Sequence, residues 1–221
     1  MDRNISIAID GPSASGKSTV AKIVASKLNY LYVDTGAMYR AFTYACIKNN
    51  IDPKDEEKSC SLIGKIKINF NEENKVTVDG IDCSKEIRMN DVADNVSYIA
   101  SYKAIRLHLV DIQREIASGR DVVMDGRDIG SYVLPNAQVK IFQIAQAEER
   151  ARRRFIENQE KGISSNYDEI VENIKKRDYI DSHREFSPLK AAEDSICIDT
   201  TNMSIDDVVE TILRIVKEKI N

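Results

Sequence analysis

The chain has 221 residues, 42% of them hydrophobic and 31% charged, with a formal net charge of -4. That supplies one substantial core with smaller subdomains attached, and so weak a charge balance argues against a general nucleic-acid binder. No apolar run approaches the ~20 residues needed to cross a bilayer, and the start, Met1-Asp2-Arg3-Asn4, lacks the basic stretch and cleavage pattern of an export signal.

Ile5 to Asp10 alternates apolar and small residues before Gly11, which predicts a buried strand ending in a turn. Val20, Ile23, Val24 and Leu28 then follow helical spacing, and Tyr30 to Val33 is a second apolar run ending at Asp34. Strand, glycine loop, helix and strand together make the opening unit of an α/β domain. Residues 35–60 are expected to be mainly helical. Lys65 to Phe70 and Lys75 to Val78 alternate at period two around a polar turn, which predicts a hairpin. A hairpin between helices implies an inserted subdomain rather than another repeat. Ile105, Leu109, Ile112 and Ile116 mark an amphipathic helix ending near Gly119.

Asp121 to Asp125 is expected to be a central buried strand, Val139 to Ile144 another, and Ser195 to Ile198 the last. Ser204 and Asp207 have the spacing of a capping box before a final helix with Val208, Val209, Ile212 and Ile215 inward. About five strands interleaved with helices point to an α/β fold, a parallel sheet covered on both faces. Cys46, Cys60, Cys83 and Cys197 fit no zinc-ligand spacing and are expected to be free thiols in a reducing cytoplasm.

Gly11-Pro12-Ser13-Ala14-Ser15-Gly16-Lys17-Ser18, followed by Thr19, matches the phosphate-binding pattern G-x-x-x-x-G-K-[ST]. The glycines let the backbone curl so that successive N–H groups face one anion, and the following helix adds its positive end. Lys17 can reach the β- and γ-phosphates of a nucleotide, and the Ser18 hydroxyl can join a Mg²⁺ shell. The loop alone does not name a reaction. The chain lacks the Asn-Lys-x-Asp that reads guanine in GTPases, and it contains no Gly-Gly pair, which weighs against ABC ATPases and shikimate kinases.

Further segments narrow the choice. Asp34-Thr35-Gly36-Ala37-Met38-Tyr39-Arg40 and Asp125-Gly126-Arg127-Asp128-Ile129-Gly130 resemble the bacterial-type cytidylate kinase family. So do Glu148-Glu149-Arg150 with Arg153-Arg154, and Arg177-Asp178 with Asp181 and Arg184. The resemblance spans essentially the whole chain. It implies a P-loop kinase with a core domain of 1–34, 101–147 and 165–221. A nucleoside-monophosphate-binding subdomain of 35–100, with a hairpin-bearing insert at about 62–100, and a helical lid of 148–164 complete the division. It also implies a monomeric cytoplasmic enzyme that moves the γ-phosphoryl group of ATP onto CMP or dCMP with Mg²⁺, and that binds neither nucleic acid nor membrane.

Two phosphate groups must be brought into line against their mutual repulsion, so catalysis is mostly positioning and charge neutralisation. Guanidinium groups suit that task because they grip phosphate bidentately and stay charged. Arg40 and Arg127, near the ends of sheet strands, are expected to hold the acceptor phosphate, and the resemblance adds Arg184. Arg150 with Arg153 or Arg154 is expected to close over the transferring group from a lid that also excludes water. Asp125, at the end of a buried strand, suits the carboxylate that orients the waters of Mg²⁺. The resemblance assigns cytosine to Asp128 and Arg106, helped by Ser97. A carboxylate can accept from the 4-amino group and an arginine can donate to N3 or O2. It assigns the acceptor sugar to Arg177 and Asp181, and adenine to the region near Thr200–Met203. His108 and His183 are given no role. A kinase for another monophosphate such as UMP, or a nucleotide-sensing module without turnover, are the alternatives.

Overall fold

A computed structural model describes residues 4–160 and 162–220. The four-residue start and the expected core and lid spans therefore include positions (1–3, 161 and 221) that lie outside the described residues. In chain order the elements are β1 (Ser6–Asp10), α1 (Lys17–Leu28), β2 (Leu31–Asp34), α2 (Thr35–Lys48), α3 (Glu56–Cys60), β3 (Ile68–Phe70), β4 (Val76–Val78), β5 (Ile81–Asp82), α4 (Asn90–Ile99), α5 (Lys103–Ala117), β6 (Val122–Gly126), β7 (Val139–Ile144), α6 (Ala147–Glu160), α7 (Tyr167–His183), β8 (Ile196–Asp199) and α8 (Ile205–Ile220).

The chain divides into two compact units, one of 1–32 with 119–221 and one of 33–118. The first carries a five-stranded parallel sheet in the order β2-β6-β1-β7-β8. Ile7 and Ile9 point to one face of β1 and Ala8 to the other, and all three are fully buried, so both faces are covered. On one face Val20 and Val24 of α1 and Ile212 and Ile215 of α8 pack against Ile7, Ile9, Val123 and Ile141. Burying each such aliphatic side chain is worth roughly 1.5–3 kcal/mol before chain entropy is charged. The capping box forms as expected: the Ser204 Oγ accepts from the Asp207 N–H, and the Asp207 carboxylate accepts from the Ser204 N–H, each at 3.2 Å.

The second unit has its own core, in which Met38, Phe42 and Cys46 of α2 meet Val96 and Ile99 of α4, Ile105 and Leu109 of α5, and Ile68, Val76 and Val78 of the small sheet. The predicted hairpin is present as β3 and β4, antiparallel, and β5 adds a third strand. Two residues are too few for a periodicity, so the sequence carried no signal for β5. The helical stretch expected over 35–60 is interrupted between α2 and α3, where Asn50 adopts a φ of 56° and Pro53 follows. The expected division kept 101–117 with the core domain. In the structure α5 belongs to the second unit, because its apolar face joins the cluster of Met38 and Phe42.

All four cysteines are free, and burial pushes the Cys46 and Cys83 thiols up to about 11, which leaves them unreactive. Among the described residues no helix is long and apolar enough to cross a membrane, and no group of His, Cys, Asp or Glu is arranged to hold a metal on its own.

Candidate active site

β1 delivers the chain into the 11–16 loop at the C-terminal edge of the sheet, and α1 begins at Lys17. A Cβ on Gly11 would lie 2.1 Å from the Gln143 carbonyl oxygen of β7, so only glycine lets the loop leave the strand there. Gly16 adopts a φ of 86°, which turns the chain into the helix. Side-chain donors hold the loop carbonyls. Lys17 Nζ donates to Pro12 O at 3.0 Å, Arg150 Nη1 to Ser13 O at 2.9 Å, and Gln143 Nε2 to Ser15 O. With these carbonyls so committed, alternate N–H groups can face one anion at the helix start.

Ser18 Oγ donates to Asp125 Oδ2 at 2.7 Å, and Tyr32 OH of β2 donates to Asp125 Oδ1 at 2.9 Å. Asp125 is almost fully buried at the end of β6. A hydroxyl and a carboxylate meeting beside a phosphate loop form an all-oxygen donor set, which suits Mg²⁺. The two residues named from sequence for that ion thus lie together.

Beyond β6 the chain makes one π-helical turn, Ile129–Val133, of the kind that often marks functional positions. Asp10 grips this turn from β1: its carboxylate accepts the N–H groups of Ile129 and Gly130, both at 2.8 Å. Burial pushes the Asp10 carboxyl from 3.8 up to about 7, with Asp128 adding to the rise while the two N–H bonds and Lys17 oppose it. Arg127 Nε pairs with Asp181 Oδ2 of α7 at 2.8 Å. Burial tends to raise Asp181, but Arg127, Arg184 and Arg177 outweigh it and hold the carboxyl below the usual aspartate range. Asp128 and Arg184 approach to 3.7 Å, both buried, and the Ser187 hydroxyl donates to Asp128 Oδ2. Arg127, Asp128, Asp181 and Arg184 are therefore brought together in one charged cluster. Arg177, half-buried, is one of the charges that depress Asp181.

The three arginines of α6 have different settings. Arg150 is only 4% exposed: besides Ser13 O it donates to Ala145 O at 2.9 Å and forks onto the Asp178 carboxylate. Arg153 reaches Thr200 O at 2.6 Å and Ser15 O at 3.3 Å, and pairs with Glu149 at 3.0 Å. It thereby links the phosphate loop to the 200–201 turn named for adenine. Arg154 is exposed and faces Glu157 at 3.6 Å.

In the second unit Asp34 accepts the Ala37 N–H at 2.8 Å as the N-cap of α2 and pairs with Arg40 at 3.0 Å. Ser97 of α4 is buried. Arg106, read alone as a surface residue of an amphipathic helix, is 1% exposed. Its Nη1 donates to Ala100 O at 2.9 Å, and its guanidinium lies 5.3 Å from the Tyr39 ring centre. Sequence reasoning gave no role to Asp10, Tyr32, Gln143 or Ser187, and quoted Asp178 only as part of the Arg177-Asp178 motif. A charged residue closing an apolar strand was a usable signal for Asp10, as was a polar residue inside β7 for Gln143. Nothing local marks Tyr32 or Ser187.

The whole chain can now be set beside known proteins. The cytidylate kinase family model matches residues 7–218. A cytidylate kinase of Bacillus cytotoxicus is 52% identical over 221 residues, covering 99% of this chain and 98% of that protein. One from Bacillus subtilis is 50% identical over 222 residues, covering 99% of each. Among solved structures, a protein of Eubacterium ventriosum matches at TM-score 0.55 and 16% identity over 98% of this chain and 99% of its own. One of Thermus thermophilus matches at TM-score 0.51 and 17% identity over 100% of both chains. At such identities these two speak to the fold alone. With matching motifs, a matching fold and half of its residues shared end to end with named relatives, the chain belongs to the cytidylate kinase family.

Proposed function

We propose that the chain transfers the γ-phosphoryl group of ATP to CMP and dCMP, giving CDP and dCDP. The observation that carries this reading is the phosphate loop with Lys17 at its mouth and the Ser18–Asp125 pair beside it, in a chain half identical to cytidylate kinases over its full length. The loop N–H groups and the start of α1 take the ATP phosphates. Lys17 leaves the Pro12 carbonyl for a phosphate oxygen. Ser18 would hold Mg²⁺ directly and Asp125 would support it from behind; that ion, when bound, would supply charge neutralisation between the phosphates.

The acceptor is a phosphate oxygen already ionised at neutral pH, so no strong base is required. Arg40, Arg127 and Arg184 take the acceptor phosphate. Asp128 accepts from the cytosine amino group while Arg106 donates to N3 or O2, with Ser97 assisting. Uracil reverses that pattern and leaves buried groups unsatisfied, which is where discrimination is largest. Arg177 and Asp181 take the sugar, and a bond to a 3′-OH admits both CMP and dCMP. Arg150, Arg153 and Arg154 belong to a lid of 148–164 that closes over the transferring group. Arg150 must exchange its Asp178 partner to take part. By role, the monophosphate-binding subdomain is 35–100 and the core 1–34, 101–147 and 165–221, although α5 packs within the second unit. The protein works as a cytoplasmic monomer.

Turnover measured with MgATP and each of CMP, dCMP, UMP, AMP and GMP tests the reading. The cytidine nucleotides should be consumed with the highest kcat/KM; preference for any other acceptor removes the base assignment, and no CDP from saturating substrates removes the enzyme.

A further inference from the structure

Asp128 does not stand freely in the charged cluster. The turn after α7 reaches it through Ser187, whose hydroxyl donates to Asp128 Oδ2. Ser187 is itself fixed by three features. Its carbonyl accepts from Arg184 Nε at 2.6 Å, the same arginine whose Nη2 lies 3.7 Å from Asp128 Oδ1. Its neighbour Phe186 sets its ring edge-on against Tyr132 of the π-helical turn, with ring centres 5.0 Å apart. Its backbone adopts a φ of 49°, a left-handed conformation that a non-glycine residue seldom takes and that persists only where surroundings impose it. Arg184, Phe186 and Ser187 thus form a bracket from one turn to the 128–133 segment.

A carboxylate that reads a base must present one oxygen along a fixed direction. A hydroxyl bond to the other oxygen sets that direction, and the aspartate's remaining lone pairs are then the ones offered to a ligand. We infer that Ser187 is a positioning residue for base selection, orienting the Asp128 carboxylate through its hydroxyl. The inference rests on the reading of Asp128 as the cytosine reader. It adds a determinant that lies outside the motifs singled out from the sequence and in a turn between elements.

Two substitutions pull the hydroxyl and the backbone apart. Ser187→Gly removes the hydroxyl but suits a φ of 49° better than serine. Ser187→Thr keeps the hydroxyl but adds a β-branch that the left-handed region resists. Each is measured for thermal midpoint and for kcat and KM with CMP and with UMP. The expected result is a crossing. Ser187→Gly melts at or above the parent and loses about tenfold in its CMP-over-UMP ratio of kcat/KM, chiefly through KM for CMP, as for loss of one hydrogen bond to a charged group. Ser187→Thr melts lower and keeps more of the ratio. An unchanged ratio in Ser187→Gly, or an equal fall in both variants, overturns the inference. Asp128→Ala run alongside separates the two levels. If the parent shows no cytidine preference, or Asp128→Ala retains it, the base reading fails. If Asp128→Ala loses the preference and Ser187→Gly does not, only the role of Ser187 fails.

Discussion

Replacing Asp10 with asparagine removes a buried acid whose proton is held far above its usual range, and the consequence is a change in how stability depends on pH. In the folded chain burial keeps this carboxyl protonated up to about 7, against 3.8 for the free group. Between those values the folded state binds more protons than the unfolded chain. Stability contributed by Asp10 is therefore complete at low pH and falls as pH rises through the window. With those two values the loss is on the order of 3 kcal/mol between about pH 5 and about pH 8. Asparagine does not titrate there, so urea unfolding of parent and variant across that range should show the gap between them shifting by about that amount in the variant's favour as pH rises. Titrations common to both proteins cancel in the difference. The absolute offset is separate, because an amide offers one acceptor to the two N–H groups of Ile129 and Gly130. Parallel stability curves would refute the reasoning, since they mean that folding leaves the Asp10 proton where it was.

Three further outcomes follow from the same geometry. Gly11→Ala puts a Cβ 2.1 Å from the Gln143 carbonyl, so the loop must shift; ATP affinity by calorimetry should fall at least tenfold, by about 1.4 kcal/mol or more, with the sheet intact by circular dichroism. Arg150→Ala strands Asp178 and the Ser13 and Ala145 carbonyls, and should cost about 3 kcal/mol in urea unfolding, whereas Arg154→Ala, on the surface, should cost within about 0.5 kcal/mol. Lys17→Ala should lower turnover by a factor on the order of a hundred or more while the thermal midpoint stays close to the parent's; turnover within a few-fold of the parent would exclude the lysine from the transition state.

Features built from neighbouring residues were legible. The 5–34 unit reads directly from an apolar strand, a glycine pattern and helical spacing, because each is a local regularity. The Ser204–Asp207 box forms from two residues three apart, and the structure realises it reciprocally. The small sheet was half legible: β3 and β4 alternate, while β5 is two residues long. What stayed hidden are partnerships across the chain. Asp10 meets Ile129 over a separation of 119 positions, and Tyr32 meets Asp125 over 93. No window of sequence holds both members of such a pair.

The arginines show the same limit more sharply. Arg150 and Arg154 sit in one run of like residues, and their identity as arginine says nothing about setting. Four positions apart, they share one face of α6, yet Arg150 is packed against the phosphate loop while Arg154, one turn further on, is left in solvent. Arg106 reads as the polar face of an amphipathic helix, yet it is enclosed with Tyr39 and the Ala100 carbonyl. Family resemblance, rather than periodicity, singled it out. Motifs thus located the chemistry by residue type, and tertiary packing decided which of those groups are held and by what.

Direct passage of the phosphoryl group from one nucleotide to the other is the central claim, and one labelling experiment addresses it. The protein is mixed with Mg²⁺, CMP and ATP carrying labelled γ-phosphate, and products are separated after a single turnover. The account predicts label in the β-phosphate of CDP, matched mole for mole by ADP. Label released as inorganic phosphate, or retained in ATP while CMP is left unchanged, would contradict it.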